Sequence, residues 1–294
     1  MWYHQESNQG HKDFQSFALP TELWYRKAKA NLLILNKALF KCFCNFIKKC
    51  SMNLVIDIGN SRVKLFLFKN DKITFRNICN HNEFIKTLQT LPYKKEIINV
   101  ISSTVSTNYN DIIEINFKDS NYFKLSNKNL KLPFRNNYKT LNSLGQDRLA
   151  LVSSAVFNYP NSNTLIIDVG TCITYDFVDS KNVYYGGAIS PGINLRYSSL
   201  NEHTSNLPLL EFKEIDTLIG TNTEDSIHSG VYNGVIAEIN DHIEKLYSNY
   251  IAPNVVVTGG SSKFLLNRIK NAIFADQDFL AIGLNYIINY NENL

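Results

Sequence analysis

The chain writes one short pattern twice. Residues 53–64 read NLVIDIGNSRVK, and 111 residues later residues 164–174 read TLIIDVGTCIT. Each is an apolar, β-branched run that stops at Asp, passes one apolar residue and Gly, and ends on small polar residues: Asn60 and Ser61 in the first, Thr171 in the second. Such runs predict strands buried on both faces, and the Gly predicts a tight turn. The segments downstream of each copy repeat as well. VKLFLF, KND and KITFRNI succeed the first copy, and CITYDFV, DSKN and VYYGGAI the second. A three-stranded unit written twice predicts two similar lobes.

Helical patterns fall around these units. EIINVISSTV reads as a further buried strand, whereas DRLALVSSAVF places Leu149, Val152 and Val156 on one helical face before Asn158 and Pro160 end it. Ile227, Val231, Val235, Ile239, Ile243 and Leu246 recur at spacings of about four, which predicts a long amphipathic helix opened by a capping-box pattern from Thr221 to Glu224. NVVVTGGSSKFLLNRI reads as a strand, a Gly-Gly turn and a helix, and a last helix is expected over most of Gln277–Tyr290. Strands bracketed by helices in both halves predict an α/β protein with a cleft between lobes at 52–160 and 161–294.

At 294 residues, 44% hydrophobic and 19% charged, the chain has the composition of a soluble globular protein with room for two modest cores. Its net charge of +4 is unevenly placed. Residues 1–51 hold eight Lys and Arg against three acidic residues, or +5, and the remainder holds 22 against 23, or −1. The body therefore offers no bulk field for nucleic acid, and its aromatic residues do not alternate with basic ones. Both Trp and three of five Cys precede Met52, the only Met besides Met1. The expectation is that translation naturally begins at Met52 and that residues 1–51 are an extension outside the fold. The rival reading is a basic amphipathic helix, with Lys37, Lys41, Asn45 and Lys48 at helical spacing, lying on a membrane surface. No stretch has the form of a secretory signal or the length of a membrane span, so no membrane partner is expected of the body. Cys79 and Cys172 stand unpaired by any motif, which suits a reducing cytoplasm.

A carboxylate at a strand end can hold a hydrated metal ion, and a Gly beside it lets backbone N–H groups approach phosphate oxygens. Either copy alone would pass for an ordinary hairpin turn. Two copies, with a third turn at Gly259 and Gly260, predict phosphates gripped from both sides. Other candidates carry less. His81, His203, His228 and His242 have no partner at zinc-ligand spacing, and His228, four residues after Glu224, reads as half of a solvated pair. Gly230 and Gly234 read as a close-packing patch, and Cys172 as a small buried filler.

DIGNSRVK (57–64), GQDR (145–148), DVGTCIT (168–174), GGAISPG (186–192), NTEDSIHSG (222–230) and TGG (258–260) occur in an order and spacing that resembles type III pantothenate kinase, within the acetate kinase, sugar kinase, Hsp70 and actin superfamily. The resemblance spans Met52–Leu294 and nothing before it. It implies two ribonuclease H-like lobes, a cytoplasmic homodimer, and transfer of phosphate from ATP to pantothenate, the first step toward coenzyme A, with Mg2+ on the phosphates. It further implies that Asp57, Ile58, Gly59, Asn60, Ser61, Arg62, Val63 and Lys64 bind the ATP phosphates with Thr171. Asp168 would hold a monovalent cation, K+ or NH4+. Tyr138, Gly145, Gln146, Asp147, Arg148 and Thr223 would receive pantothenate, with Asp147 as the catalytic base. Ser61 stands where the family more often has Thr, and Cys172 where Ala is common.

The residues of GQDR support that reading physically. Arg148 offers a planar fork suited to a carboxylate and Asp147 an acceptor for a hydroxyl proton, at a helix start whose dipole favours negative charge. Taken alone, the pair would equally cap a helix at the surface. Two alternatives stay open: a superfamily kinase with another acceptor, and a non-catalytic nucleotide-binding accessory factor for transcription with the same fold.

Overall fold

The computed structural model describes residues 51–104, 108–125, 130–266, 268–269, 271–275 and 277–294. Both readings of the leader fall on residues outside this set. Each Asp-x-Gly unit folds as its pattern predicts. β1 (Met52–Ile58), β2 (Val63–Lys69) and β3 (Lys72–Cys79) form an antiparallel meander, followed by α1 (Phe84–Gln89), β4 (Ile97–Thr104), α2 (Asn108–Asn116) and β5 (Asn121–Lys124). The chain then passes through a short β6 (Arg135–Asn136) and α3 (Gln146–Asn158) into the second unit. There β7 (Thr164–Val169), β8 (Cys172–Val178) and β9 (Val183–Pro191) repeat the meander, and α4 (Ile193–Glu202), α5 (Thr223–Asn249), β10 (Asn254–Thr258), β11 (Ile273–Phe274) and α6 (Phe279–Glu292) complete the chain.

The two sheets match strand for strand. The first has the order β3-β2-β1-β4-β5, and the second β9-β8-β7-β10-β11 with β6 added beside β9. In both, the strand that ends in Asp pairs antiparallel with its hairpin partner and parallel with a later strand. The duplication read from a dozen residues thus extends across five strands.

Alternation along β1 decides which face meets what. Leu54, Ile56 and Ile58 pack with Phe84, Leu88, Ile113 and Phe117 on the side of α1 and α2. Val55, one position out of phase, packs with Ala150, Leu284, Ile287 and Ile288 of α3 and α6. β7 divides likewise. Leu165, Ile167 and Val169 face α5, and Ile166 joins Leu151, Val152 and Val156 of α3. Period-two side chains therefore give five layers: α1 and α2, first sheet, α3 with α6, second sheet, α4 with α5. Each large apolar side chain buried in these layers stabilises the fold by about 1.5–3 kcal/mol.

The middle layer is tight. A Cβ on Gly283 would strike the carbonyl of Ala150, so the backbones of α3 and α6 approach as only Gly permits. This layer also crosses the expected lobe boundary at residue 160. β6 pairs with β9 in the second sheet, while α6, at the end of the chain, packs on the first sheet through Asn285, whose Oδ1 accepts from Asn53 at 2.8 Å.

Two helix ends differ from expectation, and the last helix covers most of its expected span. α5 is capped by Asn222, whose side chain accepts from the N–H of Asp225 at 2.9 Å, one residue later than the Thr221–Glu224 pattern. Asn is at least as good a cap as Thr, and Asp225 then lies at the N3 position. α6 begins at Phe279, after Asp278, which is buried in an ion pair with Arg76 of β3. Past the Gly-Gly turn the expected helix is one 3-10 turn, Ser262–Leu265. Among the described residues no helix is long and apolar enough to cross a membrane.

Candidate active site

Because β1 and β7 occupy equivalent positions, their Asp residues point into the same space. Asp57, one position from Ile56 and Ile58, lies on the α3 face of the first sheet, and Asp168 lies on the corresponding face of the second. A cleft of about 660 Å3 runs between them, lined by the first loop at 57–62, the second at 170–172, the third at 258–260, and the start of α3. α3 brings Asp147 to the same wall, and Gln146 ties that helix end to β4 by accepting the N–H of Thr104 at 3.0 Å. A Cβ on Gly145 would collide with the Asp147 carboxylate, so Gly there is what lets Asp147 fold back over its own turn. Asp147 Oδ1 accepts the N–H of Arg148 at 2.8 Å.

Asp147 acts on both of the other carboxylates, but the two hairpins serve those two differently. Opposite Asp57 in the register stands Lys64, with Nζ 3.7 Å from the carboxylate. Burial pushes the Asp57 carboxyl up, and Lys64 offsets part of that shift. Opposite Asp168 stands Thr174, which brings no charge. Burial first, then repulsion from Asp147 and Asp57, pushes the Asp168 carboxyl up to about 7. Gly259, at φ +99°, wraps the third turn so closely around Asp168 that any side chain there would overlap its carboxylate and the backbone of Val169.

Arg148 is not presented to the cleft as a free fork. It is 4% exposed, and its Nε donates to Asp176 Oδ1 at 2.8 Å with Nη2 2.7 Å from the same oxygen, too far out of line for a hydrogen bond. Burial pulls the guanidinium down, but the hydrogen bond and charge of Asp176 outweigh it and leave it raised, while burial, only partly offset by Arg148 and Tyr184, leaves the Asp176 carboxyl raised as well. Asp176, fully buried on β8, also accepts the hydroxyl of Tyr184 at 2.6 Å. Tyr138 stacks on Tyr184 and lies under the guanidinium, 5.5 Å from ring centre to its carbon.

The structure therefore brings together most of the residues singled out from sequence. Asp57, Ile58, Gly59, Asn60, Ser61, Arg62, Lys64, Gly145, Gln146, Asp147, Asp168 and Thr171 all line the cleft. Val63 does not, since its side chain is fully buried in β2. Tyr138 and Arg148 form a layer beside the start of α3, and Thr223 lies in a separate groove of about 770 Å3 between α4 and α5. Cys172, expected as a buried filler, is half-exposed on the cleft wall. His228 is no solvated partner of Glu224: it is 5% exposed and shares a 2.8 Å hydrogen bond with Tyr197. Gly230 has nothing within 4 Å of where a Cβ would be and Gly234 only Arg196 at 3.9 Å, so neither serves close packing, and Gly230 faces the groove. Asp176 and Tyr184 escaped sequence reading. The alternation of CITYDFV offered one signal, a carboxylate in phase with Thr174 inside a buried strand.

With this geometry in place, comparison with known proteins is decisive. The description of the type III pantothenate kinase family matches residues 53–245. A type III pantothenate kinase of Flavobacterium psychrophilum is 40% identical over 242 residues, covering 82% of this chain and 100% of the relative.

The chain belongs to the type III pantothenate kinase family.

A second family member, from Phocaeicola vulgatus, is 37% identical over 246 residues, covering 83% of this chain and all of its own length. Among solved structures, a Campylobacter jejuni protein described as a Baf family transcriptional activator superposes with a TM-score of 0.57 at 24% identity, over 82% of this chain and 100% of that one. A Listeria monocytogenes protein described as an N-acetylmannosamine kinase gives 0.50 at 11% identity, over 82% and 100%. These structural likenesses establish the shared fold. The family description leaves both residues 1–52 and residues 246–294 outside its match.

Proposed function

We propose that this protein transfers the γ-phosphate of ATP to the primary hydroxyl of pantothenate, the first step toward coenzyme A. The observation that carries the reading is the convergence of Asp57, Asp147 and Asp168 on one cleft whose walls are two equivalent strand-turn loops. The residues 57–64 hold the triphosphate from the first lobe through backbone N–H groups and Lys64, and Thr171 adds a contact from the second. Asp147, at the start of α3, accepts the hydroxyl proton of the acceptor. A strong base is unnecessary, because phosphoryl transfer passes through a loose transition state in which alignment and charge neutralisation dominate.

Mg2+ keeps most of its water and binds with ATP phosphates, so Asp57 would reach it through water. Bound there, the ion supplies the positive charge that the transferred phosphate needs. Asp168 fits a monovalent cation: its carboxylate is desolvated, repelled by two others and given no cationic partner across its hairpin. K+ or NH4+ would restore its charge balance.

For the acceptor, Gly145, Gln146 and Asp147 form one wall with Tyr138 beside it. Arg148 stands behind that wall, held by Asp176, so its part in receiving the acceptor would be to fix the start of α3. Thr223 is exposed in the α4–α5 groove, next to Leu218 and Ile219 at 77% and 80% exposure. An open apolar strip of this kind supports a homodimer in which this face meets its copy and Thr223 serves the acceptor site.

An ADP-release assay with pantothenate, an unrelated polyol and no acceptor tests the reading. Turnover with pantothenate alone is expected. Equal turnover without it indicates a different acceptor, and no turnover under any condition indicates a nucleotide-binding factor.

A further inference from the structure

Thr174 has no part in the reaction as just described, yet its hydroxyl is in an unusual position. The residue lies on β8, 8% exposed, and Oγ1 has no hydrogen-bond partner among the described residues. A buried hydroxyl left unpaired has given up its hydration for nothing. Valine would keep the same β-branched outline in a strand without that cost, so packing does not account for the oxygen. Thr174 is also part of the cleft wall, together with Asp57, Asp147 and Asp168.

The duplication indicates what the hydroxyl faces. In the first hairpin Asp57 of β1 stands opposite Lys64 of β2, with the ammonium 3.7 Å from the carboxylate. In the second, Asp168 of β7 stands opposite Thr174 of β8 at the equivalent register position. Residues directly opposed in an antiparallel pair share a face, with Cβ atoms about 4.5–5.5 Å apart. The short side chain at 174 therefore leaves open the place that the Lys64 side chain fills in the first hairpin, and it presents oxygen lone pairs there. Neighbouring charge sets the sign of an occupant, because Asp147 stands in the same cleft. One carboxylate and one neutral oxygen together carry a single negative charge. That combination matches a monovalent ion, and oxygen lone pairs suit both K+ and NH4+.

We propose that Thr174 is a second protein ligand, beside Asp168, for a monovalent cation that takes the place of the Lys64 ammonium in the duplicated hairpin. The proposal rests on the cation reading of Asp168 given above, and adds that the ion is met by the Thr174 oxygen.

Two measurements on the full chain test it: thermal unfolding in KCl and in tetramethylammonium chloride at equal ionic strength, and the K+ concentration that gives half-maximal pantothenate turnover. Thr174→Val removes the oxygen and keeps the outline, whereas Thr174→Ser keeps the oxygen and loses a methyl group. In tetramethylammonium, Thr174→Val should unfold at or above the wild-type temperature, since its unpaired hydroxyl is gone. In KCl it should gain less than the wild type does. Its half-maximal turnover should need about fivefold more K+, the order of one lost hydroxyl contact. Thr174→Ser should respond to K+ as the wild type does. An equal K+ response in wild type and Thr174→Val overturns the proposal, assigns the hydroxyl to a water molecule and leaves the Asp168 reading intact. Equal loss of the response in both variants also overturns it, because the bulk of the side chain and not its oxygen then matters. If Thr174→Val does not fold, Thr174→Ala against Thr174→Ser makes the same comparison. A wild type indifferent to K+ in both measurements overturns the cation reading as well, while its turnover with pantothenate decides the kinase reading separately.

Discussion

Under the proposed function, Asp168 should make the stability of this protein depend on pH and on monovalent cations in a linked way. Its carboxyl is pushed from an ordinary value of 3.8 up to about 7 in the folded protein. A raised carboxyl binds protons more tightly when folded than when unfolded, so this group costs stability as pH rises from about 4 through about 7. The full difference corresponds to about 4 kcal/mol, at about 1.4 kcal/mol per pH unit, and roughly 3 kcal/mol of it falls between pH 5 and 8. Because the side chain keeps some contact with the cleft, that is a ceiling. For a body of this size it corresponds to a fall in Tm of about 5–10 °C. The assay is thermal unfolding at pH 5 and pH 8, in tetramethylammonium chloride and in KCl at equal ionic strength. In tetramethylammonium the Tm should drop between the two pH values. In KCl the drop should shrink, because a cation that binds only the ionised, folded site stabilises it at pH 8 and not at pH 5. Asp168→Asn should flatten the pH profile and abolish the difference between the salts. A Tm at pH 8 that is indifferent to K+ in the wild type, or an Asp168→Asn profile as steep as the wild type, refutes the reasoning.

Three further outcomes are expected. Asp147→Asn should abolish phosphate transfer while ATP still binds, seen by nucleotide titration calorimetry. Retention of more than about a tenth of the rate, when removing a positioned proton acceptor costs roughly 10²–10⁴-fold, counts against its role. Gly283→Ala forces a methyl group into the Ala150 carbonyl and should destabilise the protein by about 1–3 kcal/mol in urea unfolding, whereas Gly230→Ala, facing open space on α5, should be neutral or stabilising. If the proposed homodimer forms through this face, replacing Leu218 and Ile219 together by Asp should yield a monomer in light scattering; a wild-type monomer, or an unaltered mass in the variant, removes that face from the interface.

The parts of this molecule that are legible in sequence are those that local chemistry decides. The two Asp-x-Gly units announce six strands because period-two burial and a Gly turn leave little else for VIDIG and LIIDVG to do. The cleft follows, since equivalent strands end at equivalent points. Sequence alone presents Arg148 as a free fork because the residue that claims it, Asp176, is 28 positions away in a strand whose alternation favours apolar neighbours. His228 likewise finds Tyr197, on another helix, rather than Glu224 one turn back on its own. The crossing of the lobe boundary by β6 and α6 carries no local signal, because pairing of Arg135–Asn136 with β9 is settled by tertiary packing alone.

The two hairpins are copies in shape and opposites in provision. Position 64 gives the first carboxylate a covalently attached ammonium, and position 174 gives the second a hydroxyl. One half of the duplication thus carries its own cation opposite its carboxylate, whereas the other carries none at that position. Under the proposed function a single residue, threonine where its twin has lysine, turns cellular potassium or ammonium into a component of the enzyme.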